Sequence, residues 1–196
     1  MIVFRSAAEA RVDFDRAFPN LIGSNWRITS PLDNSYQCIA WAACRRDRVW
    51  WPWDHPSYYW PSGYHKFPVS SPVPVTAFVE VFKQEFGYRQ CTSRDFEFGY
   101  QKVAIFANIL GVTHMSRQHF FGRGWLSKAG IMEDIVHGEL TDVQGDISAV
   151  ADTYGEVAQV MKRSWWAGLI RLCLFRALWA NITFFVYRKV IPWDLT

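Results

Sequence analysis

The sequence predicts an α+β fold, and three observations predict it. Residues 76–86, TAFVEVFKQEF, place Phe78, Val79, Val81, Phe82 and Phe86 on or near one helical face, and Gly87 ends the run. Residues 102–109, 112–119 and 124–128 are short strand-like runs separated by Gly111 and by Gly122 with Gly124, which reads as an antiparallel meander. Half of the 196 residues are apolar and only 20% are charged, so the chain has material for a sizeable core and does not resemble a disordered one.

The remaining elements follow in order. Residues 1–33 read as irregular, because Pro19, Asn20, Gly23 and Pro31 punctuate short apolar pieces. Asn34 or Ser35 can then cap a helix that carries Cys38, Ile39, Trp41 and Ala42, and the run IAWAAC marks that helix as central. Residues 49–74 crowd prolines and glycines among Trp, Tyr and Phe, so neither a helix nor a sheet runs through them. They predict a long ordered loop held by its own rings, serving as a clamp on the core, as a wall of a binding cleft, or as both. Residues 133–140 read as a short helix or loop, and residues 155–162 alternate as a further strand.

Two units are expected: residues 1–163 as the main domain, and residues 164–196 as an apolar helical segment. Between Trp165 and Tyr187 only Arg171 and Arg176 are charged, which leaves core packing, a partner protein or a membrane surface as the readings of residues 165–187. The start of the chain has no apolar stretch of signal-peptide length. The expectation is therefore a cytoplasmic protein, or one delivered as an effector without a signal peptide, with peripheral membrane association through the tail.

Composition narrows the function classes. The net charge of +3 is a mild excess with no Lys/Arg stripe interleaved with aromatics, so no nucleic-acid partner is expected. Arg45, Arg46 and Arg48, beside Asp47, read as a solvated face. Four cysteines, at 38, 44, 91 and 173, form no C-x-x-C pair, and neither a metal site nor a cofactor is expected.

Chemistry concentrates on Cys38. A thiol at the first turn of a helix has exposed amides that favour a thiolate and can face an oxyanion. His114, on a predicted strand, is a base that such a thiol can meet in space. His55, His65 and His137 are rival bases, while His119 alternates away from the side His114 uses. The plainer reading is that Cys38 is a buried inert thiol and His114 a structural histidine.

The segments N34-S-Y-Q-C-I-A-W-A-A43, W50-W-P-W53, V112-T-H-M-S-R-Q118, G124-W-L-S-K-A-G130, E133-D-I-V-H137 and Y154-G-E-V resemble a bacterial family of uncharacterised domains over roughly residues 30–163. More distantly, their order resembles the papain-like and NlpC/P60-like cysteine hydrolases, in which a central helix carries the cysteine and an antiparallel sheet carries the histidine. That resemblance implies a peptidase, amidase or glutamine deamidase acting on a peptide, a protein side-chain amide or a small amide. Cys38 would attack the acyl carbon, and His114 would take its proton and pass it to the leaving amine. Ser127 or Asp134 would orient the imidazole. Gln118 is a third choice, on the same side but roughly 13 Å along a regular strand. Asn34, Gln37 or Trp41, with Gln118, would line the oxyanion or substrate site. Position 32 is leucine where papain-like enzymes carry their oxyanion glutamine, which weakens the protease reading most. The alternative class is a non-catalytic binding or adaptor domain that uses the Trp/Tyr-rich loop.

Overall fold

A computed structural model describes residues 2–3, 6–120, 124–145 and 154–165. The expected tail readings at residues 165–187, apart from Trp165, lie outside the described residues, as does Cys173. Among the described residues, no helix is long and apolar enough to cross a membrane.

The chain begins with β1 (Ile2–Val3) and then α1 (Ala7–Ala17), where the sequence pattern predicts irregular structure. A capping box starts α1. Ser6 Oγ accepts from the Glu9 amide at 3.2 Å, and the Glu9 carboxylate accepts from the Ser6 amide at 3.0 Å. Only Ala10 and Phe14 of this helix are buried, too sparse an apolar stripe to announce a helix by periodicity. Two short strands follow, β2 (Arg27–Ile28) and β3 (Leu32–Asp33).

Helix α2 (Cys38–Ala42) starts later than its candidate caps suggest. Gln37 occupies the cap position without a side-chain bond, while the Ser35 hydroxyl and amide both bond Asp33. The helix closes in a Schellman turn: the Arg45 amide donates to Ala40 and the Cys44 amide to Trp41, with Cys44 left-handed at φ 59°. Helix α3 (Val75–Phe86) agrees with the expected amphipathic helix, and Gly87 stops it at φ 70°.

The strands β4 (Arg89–Cys91), β5 (Tyr100–Asn108), β6 (Gly111–Gln118), β7 (Trp125–Lys128), β8 (Asp134–His137) and β9 (Glu156–Ser164) join β2 in one antiparallel sheet of order β2-β8-β7-β6-β5-β9-β4. Residues 134–137, expected as helix or loop, form a strand because β7 and β2 take up the hydrogen bonds on either side of it.

Alternation along these strands makes two buried faces. On one, Val103, Ile105, Met115, Leu126 and Met161 pack under α2, α3 and the aromatic loop. On the other, Ala104, Phe106, Trp125, Ile135 and Val160 pack with Phe14 of α1, Leu21 and Trp26. The molecule is thus a mixed α+β domain with helices laid on an antiparallel sheet.

Candidate functional site

Cys38 is the first residue of α2, 5% exposed, in the core that includes Met115 and Trp41. His114 pairs with Phe106 in the register of β5 and β6, and so shares its face of the sheet. Met115, the next residue, pairs with Ile105 on the α2 face. The helix carrying Cys38 therefore packs on the strand carrying His114, with the two side chains on opposite faces. Among the described residues, no hydrogen bond joins the Cys38 thiol to a histidine. Burial pushes that thiol up to about 11, against the opposing pull of the Met115 and Ile39 backbone and of Lys128.

The four expected catalytic residues divide between the two faces. His114 and Ser127 meet behind the sheet, with Nε2 and Oγ 3.2 Å apart. Asp134 lies on the α2 side, paired with Lys128 across β7 and β8, and both its oxygens accept from the Tyr36 hydroxyl, at 3.0 and 2.8 Å. Arg46 reaches the same carboxylate at 3.7 Å. Burial raises the Asp134 carboxyl although Arg46, Lys128 and Tyr36 all favour its charge. Lys128 is fully buried; it donates to the Met132 carbonyl and lies 5.2 Å from the Tyr36 ring. Arg46 stays exposed, as expected of a solvated face, while its guanidinium lies 4.4 Å from the Trp41 ring.

Ser127 is the hub of the polar cluster behind the sheet. Its Oγ stands 2.8 Å from His137 Nε2 and 2.7 Å from Ser116 Oγ. His137 Nδ1 is 2.7 Å from the Glu139 carbonyl, which can only accept, so Nδ1 carries the proton and Nε2 is a bare acceptor. The single Ser127 proton then goes to His137. Ser116 and His114 Nε2 donate to Ser127, which leaves His114 Nδ1 as a lone pair without a partner. The His114 ring stacks flat on Tyr154, with centroids 3.8 Å apart. Burial lowers both histidines, His137 to about 4 and His114 well below the ordinary value. Ser127 and His114 are fully buried and His137 is 1% exposed. The bond has the polarity of a serine with its base, inside a cluster of buried side chains.

The expected oxyanion and substrate residues differ in burial and in partners. Asn34 is exposed, and Gln37 flanks α2 without a side-chain cap. Gln118 is buried and donates to the Arg94 carbonyl at 3.1 Å. Trp41 is buried beneath two guanidinium groups, those of Arg46 and Arg117, each 4.4 Å from its ring. Among the described residues, no group of three or more His, Cys, Asp or Glu side chains could hold a metal ion.

The aromatic loop is ordered by backbone pairing. Trp51 and Tyr59 donate to Tyr59 and Val49 carbonyls, and Asp54 and Phe67 donate to Phe67 and Pro52 carbonyls. Trp51 and Trp53 meet edge-on at 5.5 Å, Trp53 and Tyr58 at 5.7 Å, and Trp53 Nε1 donates to the Ser71 carbonyl at 3.1 Å. Trp50 and Trp60 are buried as clamps, whereas Trp51, Trp53, Tyr58, Tyr59, Tyr64 and Phe67 are partly exposed. Both expected roles of the loop thus have rings to serve them.

These features define an α+β domain with a buried serine–histidine hub behind its sheet and an aromatic wall beside α2. Residues 27–162 match the family described as Domain of unknown function (DUF7689), and the chain belongs to that family. The matched span runs from β2 into β9 and holds α2, α3 and the aromatic loop. No curated protein and no solved structure matches the chain.

Proposed function

We propose that this chain is a non-catalytic recognition domain that binds a segment of a partner protein on the aromatic loop of residues 49–74. The observation that carries this reading is the partly exposed row of Trp51, Trp53, Tyr58 and Tyr59, fixed by backbone pairing and edge-on ring contacts. Rings held in place before binding lose little conformational freedom on contact, and Trp and Tyr dominate the energetics of protein interfaces. Arg48, 4.8 Å from the Tyr59 ring, and the exposed Asp54 and Lys66 supply a polar rim.

A peptide array probed with the full chain tests the reading. Bound sequences should lose affinity at least about thirtyfold with Trp53→Ala, the scale of an interface hot spot. Circular dichroism should show the variant folded. Equal binding by the variant, or ligands found on a glycan array alone, would overturn it.

The cysteine-hydrolase reading is the second proposal, and the position of Cys38 favours it. The thiol begins a helix, near the Met115 and Ile39 backbone and Lys128, groups that stabilise negative charge at sulfur. It requires a rearrangement that brings Cys38 and His114 to one side of the sheet. Alkylation of Cys38 that is fast below pH 7 and slowed by His114→Ala would replace the recognition reading with this one.

A further inference from the structure

Cys44, which the sequence pattern sets aside, has the surroundings of a reactive thiol. It sits at the left-handed position of the Schellman turn after α2, where glycine or asparagine is usual and a β-carbon is strained. Its sulfur accepts from Arg117 Nη1 at 2.9 Å and faces Arg163 Nη2 at 3.8 Å. Both arginines are buried, at 2% and 7% exposure. Arg163 is held in place by Gln101, whose carbonyl oxygen accepts from Nη2 at 2.7 Å. Arg117 has no carboxylate within ion-pair distance among the described residues. Its one side-chain hydrogen bond there goes to Cys44, and its guanidinium lies over Trp41.

A buried guanidinium requires a counter-charge; Asp134 acts on Arg117 from beyond ion-pair distance, and the sulfur is the group in hydrogen-bond contact with it. Burial alone would raise the Cys44 thiol, but the charges and hydrogen bonds of Arg117 and Arg163 outweigh it and hold the thiol below its ordinary value. The other described cysteines differ. Burial raises Cys38 to about 11, and Cys91 is also raised by burial. Unlike Cys38, Cys44 is only partly buried.

We propose that Cys44 is a site of oxidation by hydrogen peroxide, with Arg117 and Arg163 as the groups that hold its thiolate and the oxygens of the peroxide. The sulfur lone pair attacks one peroxide oxygen; the S–O bond forms as the O–O bond breaks. Hydroxide leaves and takes the proton of the new S–OH group to become water. Sulfur loses two electrons to become a sulfenate, and the peroxide is reduced to water. The sulfenate, an anion, keeps the partnership with both guanidinium groups. The site lies on β6 and β9 at the end of α2, separate from the aromatic loop, so it stands whether or not that loop binds a partner.

The test uses the full chain with hydrogen peroxide and a dimedone trap, and reads each cysteine by mass spectrometry. Cys44 should be labelled roughly tenfold or more faster than Cys91, an internal reference for a thiol without paired arginines. Arg117→Gln should slow Cys44 towards the Cys91 rate, and Arg163→Lys should keep most of the rate because the charge remains. Equal labelling of Cys44 and Cys91 in the unaltered chain would overturn the proposal without any variant. So would unchanged Cys44 labelling in a folded Arg117→Gln protein.

Discussion

Ser127 shows how one small side chain can fix a whole patch of sheet. Its hydroxyl satisfies His137, His114 and Ser116 at once, in a core where each unpaired polar group costs about 1–3 kcal/mol. Ser127→Ala strands all three partners, and chemical denaturation should show a loss of several kcal/mol, on the order of that cost for each partner. The histidines add a pH dependence whose sign is set by their lowered values. Above about pH 6.5 both are neutral in the folded and unfolded chains and contribute no pH slope. As the pH falls, the unfolded chain takes up protons that the buried rings refuse, so stability declines. For His137 the decline spans the window from about 6.5 to about 4, and amounts to roughly 3 kcal/mol; His114 extends it to lower pH. Urea melts between pH 7 and pH 4 should show this slope, and His137→Gln should make it shallower, leaving the share of His114.

At the scale of elements, the aromatic loop depends on where its ends are fastened. The Val112 amide donates to the Val73 carbonyl at 2.9 Å, and Val73 bridges to Gly111 at the turn between β5 and β6. Gly111 has φ 104°, and a β-carbon there would lie 2.5 Å from the Val73 carbonyl oxygen. Gly111→Ala should therefore break the fastening, by backbone strain and by collision together. Proteolysis should cut residues 68–74 sooner in the variant, with a loss of about 2–3 kcal/mol in denaturant melts. Unchanged protection would mean that the rings alone hold the loop. Helix α1 presents the opposite case. Its start is written locally in Ser6 and Glu9, while its packing rests on Ala10 and Phe14.

At the scale of the whole molecule, the sheet is a partition. Helix α2, with Cys38, Cys44 and the aromatic loop, occupies one side, while His114, Ser127 and His137 occupy the other. Groups on opposite faces that do not contact one another contribute nearly independently to stability. The double variant Cys38→Ser, His114→Ala should thus lose the sum of the single losses, within about 0.5 kcal/mol, in a double-mutant cycle. A larger coupling would place the two side chains in one site and favour the hydrolase reading over the recognition one.

Much of this architecture is local and therefore written in the sequence. The apolar period of α3 with Gly87 behind it, the glycine-separated strands β5, β6 and β7, the alternation of β9 and the clamped aromatic loop each follow from nearest neighbours along the chain. The placement of Cys38 at the start of a helix and of His114 on a strand was legible for the same reason. Other features depended on partners distant in sequence. Residues 134–137 became a strand only because β7 and β2 lie on either side of them. Arg117 found Cys44, 73 residues away in the chain. Above all, tertiary structure decided which face of the sheet each expected catalytic residue occupies. A strand's period of two makes adjacent residues point oppositely, but it does not say which face a helix will cover. Packing α2 against Met115 assigned that face, and so set Cys38 on one side of the sheet and His114 on the other.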